Sequence, residues 1–336
     1  MGESNAPFSV EVSSEAWRAE ADRWIAESLA GRDVVVVGTR QPRVRPWSTQ
    51  LVVEVAGPSG AARYWFKANC RAQSFEPALQ ARLATLLPGD VDAPIAADPS
   101  RGWMLTADRG ATLADRHDPA AEDWSRVIDE WARVQRSLAG RSAEVLGAGV
   151  PDCSPGTVPA RFAELLGLVL ALPTGHPSAP DAATAASLVA AADRVALAAE
   201  ALDEGGLPAT LQHGDLHPGN VFASDDASDG LRLFDFGDAQ WAHPVEALLV
   251  PRAVMEYRGI DPEPVVAGFR EAWADVARFD DAEWARLVAA AETTHAVNRA
   301  HTWWGCLAQA TDDETAEWGE AVLRHLSRVL GPSGDS

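Results

Sequence analysis

Lysine is almost missing from this chain. Of its 28 basic residues one is lysine, Lys67, and the other 27 are arginine. A guanidinium serves wherever a generic positive charge suffices, so the single ammonium that remains marks a place where a compact charge is needed. Positive charge as a whole is also short: 28 Lys and Arg stand against 49 Asp and Glu, a net charge of −21. That balance excludes nucleic acid and anionic membrane surfaces as partners, keeps the chain soluble, and would attract a cationic ligand. The three cysteines, Cys70, Cys153 and Cys306, lie far apart. They form neither a disulfide framework nor a metal-ligand spacing. No stretch approaches about 18 uninterrupted apolar residues, so no membrane span is expected. The opening, Met1 to Ala6, has no basic start and no apolar run. No signal peptide is expected from it, and the expected setting is cytoplasmic.

What is present is core and punctuation. Apolar residues make up 47% of 336 residues, with 13 tryptophans, enough for one large or two modest domains. No repeat of solenoid length is found. The chemistry is concentrated in two short segments. His213-Gly214-Asp215-Leu216-His217-Pro218-Gly219-Asn220 reads His-x-Asp-x-x-x-x-Asn, and Phe234-Asp235-Phe236-Gly237 ends a short apolar run. The connection through 224–230 reads as a hairpin-like loop. Phosphoryl transfer needs a carboxylate against the attacking hydroxyl, and an amide oxygen and second carboxylate to hold magnesium on the phosphates. Asp215, Asn220 and Asp235 are those three groups in that order.

These segments resemble the aminoglycoside phosphotransferase and choline kinase family, small-molecule relatives of protein kinases. Protein kinases usually carry Arg where Gly214 stands, and no Ala-Pro-Glu follows Gly237. Both departures favour a small-molecule kinase. The resemblance implies an α+β, bilobal protein-kinase-like fold, with a mainly antiparallel β small lobe and a mainly α large lobe. It divides the chain into a nucleotide-binding lobe, 1–107, and a catalytic and substrate-binding lobe, 108–336. It implies ATP or GTP with Mg²⁺ as cofactors, Lys67 on the α- and β-phosphates, and a monomer or homodimer.

Taken in order, residues 1–12 read as an irregular lead-in, and a helix runs from Ser13 or Ser14 to Gly31. Strand-like runs follow at 33–37, 50–55 and 62–67, the last two joined by the turn 57–60. On a strand Arg63, Trp65 and Lys67 share one face. A helix capped by Ser74 brings Glu76 to Lys67. Between the first two strands, 38–49 reads as a phosphate-covering loop without Gly-x-Gly, in which Ser48 is the candidate contact. Gly102 to Thr106 reads as the last small-lobe strand, and 107–110 as the hinge. By resemblance the base would meet backbone atoms of Thr106 and Asp108.

The second lobe reads as helical, with a core stripe from Trp124 to Leu138, a helix over 160–170, a long Ala-rich helix over 181–202, and helices over 264–276, 281–307 and 314–330. Glu246 stands where the family often carries Asp. For the acceptor, Asp238 and Trp303 are the candidates, with the acidic trio Asp312, Asp313 and Glu314 nearby. An aromatic pair beside carboxylates suits a cationic sugar or amine. The expected reaction is transfer of the ATP γ-phosphoryl group to a hydroxyl of an aminoglycoside or similar amino sugar. The alternatives are a housekeeping kinase for choline, another amino alcohol or a sugar, and a catalytically silent nucleotide-binding module.

Overall fold

The computed structural model describes residues 6–58, 60–222 and 230–331. The expected connection at 224–229 and the turn residue Ser59 lie outside the described residues.

The chain first builds a five-stranded antiparallel sheet from β1 (Val35–Val44), β2 (Ser48–Gly57), β3 (Gly60–Asn69), β4 (Ala96–Asp98) and β5 (Trp103–Ala107), in the order β1-β2-β3-β5-β4. Strand alternation decides what each face does. On one face Leu51, Val53, Val55, Phe66 and Leu105 pack under the helix Glu15–Leu29, whose Trp17, Ala21 and Ile25 are buried. Phe66 and Trp103 meet there at 5.3 Å, edge to face. The register pairs Gln50 with Lys67 and Lys67 with Met104, so these three occupy the opposite face with Arg63, Trp65 and Thr106.

Below the sheet the helix Glu76–Leu86 sends Leu79 and Leu83 into the largest core, shared with Trp124, Ile128 and Trp131 of the helix Ala121–Leu138. The helix Asp281–Leu307 runs through the second lobe. Two short hairpin-like pairs project the motif segments: β6 (Thr210–Gln212) pairs with β9 (Gln240–Ala242), and β7 (Val221–Phe222) with β8 (Arg232–Leu233). No single helix among the described residues is long and apolar enough to cross a membrane.

Several local expectations change. The lead-in contains a short helix, Phe8–Val12. The stretch expected to be a loop at 38–49 is mostly strand. β1 runs on to Val44, with register irregularities at Val36/Gly38 and Arg40/Arg43. The second irregularity contains Pro42, which has no N–H to donate to the ladder. Ser74 does not cap its helix; its hydroxyl bonds the Arg71 carbonyl at 2.9 Å, within a one-turn 3-10 segment. The Ala-rich helix is two helices, Ala182–Ala190 and Ala192–Glu204, bent by 41°. Neither Gly nor Pro marks that break, so the sequence pattern could not signal it. The helix Leu249–Tyr257 and the strand β4 were unanticipated.

His243, after β9, is 1% exposed, and neither ring nitrogen has a hydrogen-bond partner among the described residues. Burial pushes its pKa down to about 3. The unfolded chain takes up this proton near pH 6.5, and the fold refuses it until about 3. Stability therefore falls as pH drops through that window, by up to about 1.4 kcal/mol per pH unit for this group. His243→Leu should flatten the loss of denaturant stability between neutral pH and pH ~4.5. Equal losses in variant and wild type would clear His243 of this role.

Candidate functional site

The site lies where the free sheet face meets the loops after β6 and β8. Lys67, near the end of β3, points down from the sheet. Its Nζ is 2.7 Å from Glu76 Oε2 and 2.6 Å from Asp235 Oδ1. Glu76 is fully buried and also accepts a 2.8 Å hydrogen bond from Asn69 Nδ2. Burial pushes the Lys67 pKa down, but the two carboxylates overcome it and leave the ammonium above its ordinary range. For Asp235 burial raises the pKa, and the adjacent Lys67 charge more than reverses it.

The loop His213–Asn220 comes from β6 and is held from both ends. His213 Nε2 lies 2.9 Å from the Phe234 carbonyl, and its ring packs against Trp131 and Phe236. Burial lowers its pKa, so the neutral ring donates to that carbonyl. Gly214 has φ +81°, and a Cβ there would stand 2.0 Å from the Asp238 carbonyl oxygen. The arginine usual in protein kinases has no room at this position. Asn220 Nδ2 donates to the Asp215 carbonyl at 2.8 Å, leaving its amide oxygen as the atom it offers to a cation. Asp215 has its carboxylate 3.6 Å from His217 Nε2. Burial raises its pKa, but the adjacent His217 and the charge of Arg299 outweigh that and bring it to about 2.

Asp235 sits at φ +66°, one of two non-glycine residues with positive φ among those described. Such a conformation costs about 1–3 kcal/mol and persists only where surrounding structure enforces it. Here the enforcement comes from the Lys67 bridge and from the flanking Phe234 amide, bonded to the Asn220 carbonyl at 3.2 Å.

These groups close one end of a cleft of about 740 Å³, walled by Trp65, Met104, Thr106, Leu233 and Phe234 among others. Phe222 and Phe234 stack at 4.2 Å on its floor. The expected hinge atoms need revision. The Asp108 amide donates to the Arg63 carbonyl at 3.2 Å, which continues the β3–β5 ladder. By the alternation of antiparallel pairs, Thr106 also faces β3 with its backbone groups. The amide and carbonyl turned away from β3 are those of Ala107, which lines the cleft.

Other expected contacts fall elsewhere. Ser48 begins β2 opposite Asn69 and is 4% exposed. It is not part of the cleft wall, whereas Gln50 is. Trp303 stacks on Trp318 at 6.1 Å, and Trp47 from the β1–β2 turn meets both edge-on at 5.5 and 5.3 Å. That tryptophan is thus part of a contact tying the sheet to the C-terminal helices. Asp312, Asp313 and Glu314 form the first turn of the helix Asp312–Trp318, with Glu314 in a capping box with Thr311. Glu246 is buried and accepts from Thr294 at 2.7 Å and Asn298 at 3.2 Å, so it anchors the long helix. Asp238 accepts from Gln73 at 2.8 Å and pairs with Arg299 at 2.8 Å. Asn69, Gln73 and Arg299 carried no motif; their partners lie far away in sequence or belong to a different element.

Magnesium fits the donor set. Lys67 offsets one of the two carboxylates it touches, which leaves one negative charge at the site, and the Asn220 amide oxygen is a second oxygen donor on the neighbouring loop. Among the described residues no group of three or more His, Cys, Asp or Glu forms a complete metal cage. Magnesium habitually takes one or two protein ligands and completes its shell with phosphate and water.

Comparison with known proteins agrees with this architecture. A family model described as the phosphotransferase enzyme family matches residues 105–290, more than half of the chain. No curated protein matches it. Ethanolamine kinase from Plasmodium vivax superposes with a TM-score of 0.61 at 11% identity, over 94% of this chain and 90% of that one. A choline/ethanolamine kinase family protein from Mesorhizobium loti gives 0.55 at 13%, over 95% of each chain. Spectinomycin phosphotransferase, solved with ADP and spectinomycin, gives 0.52 at 12%, over 92% and 97%. At these identities the solved structures establish a shared fold, and the family match carries the assignment: the chain is a kinase-like, bilobal member of the phosphotransferase enzyme family.

Proposed function

We propose that the protein is a small-molecule kinase that transfers the γ-phosphoryl group of ATP to an alcohol. The observation that carries this reading is the meeting of Lys67, Glu76 and Asp235 at one end of the cleft, with Asp215 and Asn220 on the neighbouring loop. The chain then divides near Ala107 into a lobe that holds the nucleotide and a lobe that holds the acceptor.

The purine lies under the sheet between Trp65 and the Phe222–Phe234 pair, with its edge on the Ala107 backbone. Lys67 reaches the α- and β-phosphates, and Glu76 keeps its ammonium aimed downward. Asn220 and Asp235 would hold Mg²⁺, which would supply charge neutralisation for the phosphates. Asp215 receives the acceptor hydroxyl. The hydroxyl oxygen bonds to the γ-phosphorus, the bond from that phosphorus to the ADP oxygen breaks, and the proton passes to Asp215 and on to solvent. A carboxylate with a pKa near 2 is a weak base. Its main work is therefore to orient the hydroxyl and take the proton late, which suits a loose phosphoryl-transfer transition state.

The named substrates of the relatives, ethanolamine, choline and spectinomycin, are small hydroxyl compounds, which supports a small-molecule alcohol as the acceptor class. The sequence-based preference for an amino sugar rested on the family resemblance and the net charge of −21, with Trp303 and the acidic trio as candidate contacts. With Trp303 stacked in a cluster and the trio at a helix start, neither argues for a cation.

Two substitutions test the assignment. Asp215→Asn should retain ATP binding and lose about 10²-fold or more in kcat, read by ADP release with an accepted substrate. Unchanged turnover would overturn the role of Asp215, whereas ATP binding by the wild type without turnover of any acceptor would make the protein a silent module. Lys67→Arg should raise the KM for ATP about tenfold, because a planar fork does not fit between two carboxylates already 2.6 and 2.7 Å from a point charge. An unaltered KM would remove Lys67 from phosphate binding.

A further inference from the structure

Next to Asp238, on the side away from Lys67, lies a second and smaller chamber of about 200 Å³. Its wall mixes apolar side chains such as Phe75 and Pro151 with polar ones: Gln73 from the small lobe, Asp238 and Gln240 from the segment after Asp235, and Arg161, His301 and Thr302 from two helices. The charges there are unequal. Asp238 is the one carboxylate in the wall, and it is already engaged by Arg299 at 2.8 Å and Gln73 at 2.8 Å. Arg299 is largely buried, and its field reaches Asp215 as well as Asp238. Arg161 contributes a second guanidinium. Its Nε is buried with no hydrogen-bond acceptor among the described residues, and Arg299 Nη1, though near Asp238, is misaligned for a hydrogen bond. The His301 ring nitrogen is taken by the Arg161 carbonyl at 2.6 Å, so this histidine fixes the helix bearing Arg161 and is not available to a ligand through that atom.

A buried guanidinium N–H without an acceptor is costly, and water or the oxygen of a bound group would satisfy it. Planar guanidinium forks match carboxylate and phosphate oxygens. An ammonium brought to the same place would face the Arg161 guanidinium and a carboxylate, Asp238, already paired with Arg299.

We propose that this chamber receives the anionic end of the acceptor, so that the substrate is a compact hydroxylated oxyanion, a hydroxycarboxylate or a phosphate-bearing polyol. The inference rests on the phosphotransferase reading above and names the substrate class of that site. The Arg161 guanidinium holds the oxyanion, while Gln240 and Thr302 offer hydrogen bonds to its hydroxyls. The reacting hydroxyl lies toward Asp215. The bonds made and broken are those already given, between the hydroxyl oxygen, the γ-phosphorus and ADP. Asp238 is a positioning residue, since it holds Arg299 and ties the chamber to Gln73 of the small lobe.

The test is ADP release by the full chain with Mg²⁺ and ATP, on matched sets of acceptors. Hydroxy acids and sugar phosphates of three to six carbons are compared with the corresponding neutral polyols and with amino alcohols, amino sugars and aminoglycosides. Gluconate, glucose and glucosamine form one such set. The expected result is turnover of an anionic member with kcat/KM at least tenfold above its neutral and cationic counterparts; the carboxylate and phosphate arms separate the two oxyanions. Arg161→Gln should then raise the KM for that anion at least tenfold with the KM for ATP unchanged, and Arg161→Lys should restore part of the loss. Thermal unfolding of both variants separates lost binding from lost folding. A neutral or cationic acceptor as the best substrate, or no acceleration by any anion while ATP still binds, overturns the anionic assignment and leaves the kinase reading standing. Failure to bind ATP at all would remove the kinase reading, and this inference with it.

Discussion

The site depends on one buried ammonium shared by two carboxylates. Lys67 comes from the sheet, Glu76 from the helix beneath it, and Asp235 from the other lobe. Desolvation works against each of the three charges singly; mutual attraction outweighs it for Lys67 and Asp235, whereas for Glu76 burial wins and the pKa stays raised. Remove the ammonium, and the buried Glu76 and the half-buried Asp235 carboxylates would face each other without compensation. An interaction of this kind adds little net stability but strongly restricts geometry. It sets the helix Glu76–Leu86 against the sheet and the sheet against the Asp235 loop, so one contact specifies the relative placement of three elements.

Two further contacts bridge the lobes and limit how far that arrangement can drift. Gln73 donates to Asp238 just beyond the Asp235 turn. Trp47, at the β1–β2 turn, meets Trp303 and Trp318 of the C-terminal helices. The turn that would close over bound phosphates is therefore packed against the far end of the second lobe. The missing glycine-rich pattern has a physical counterpart here: a turn held by an indole cluster needs less intrinsic backbone freedom than one that must fold over a ligand unaided.

Much of the fold was legible. Alternation in β3 put Arg63, Trp65 and Lys67 on one face, and the structure places them there. The helical stripe from Trp124 to Leu138 is the buried face of its helix. Gly214 could be read only as a departure from protein kinases; the structure supplies the reason, a backbone carbonyl where a side chain would begin. What misled was local signal with two physical causes. Acidic residues at 312–314 serve a helix terminus as readily as a cation, and neighbouring tryptophans serve packing as readily as a pocket. That the backbone of Ala107, rather than of Thr106 or Asp108, turns away from β3 could not be read from the sequence, because it depends on strand register, and register is a property of two strands together.

The sequence alone determined the identity and spacing of the chemical groups: one ammonium, the Asp-x-x-x-x-Asn run and the Asp-Phe-Gly turn. These are local, set by residue type and by the few bonds between them. The tertiary structure alone decided which charges are already satisfied. Asp238 is neutralised by Arg299, 61 positions along the chain, and Arg161 arrives at the same chamber from a third element. Net charge counts every carboxylate equally. Only folding distinguishes those that face a ligand from those that have already met a partner, because Coulomb energy depends on distance and burial rather than on sequence position.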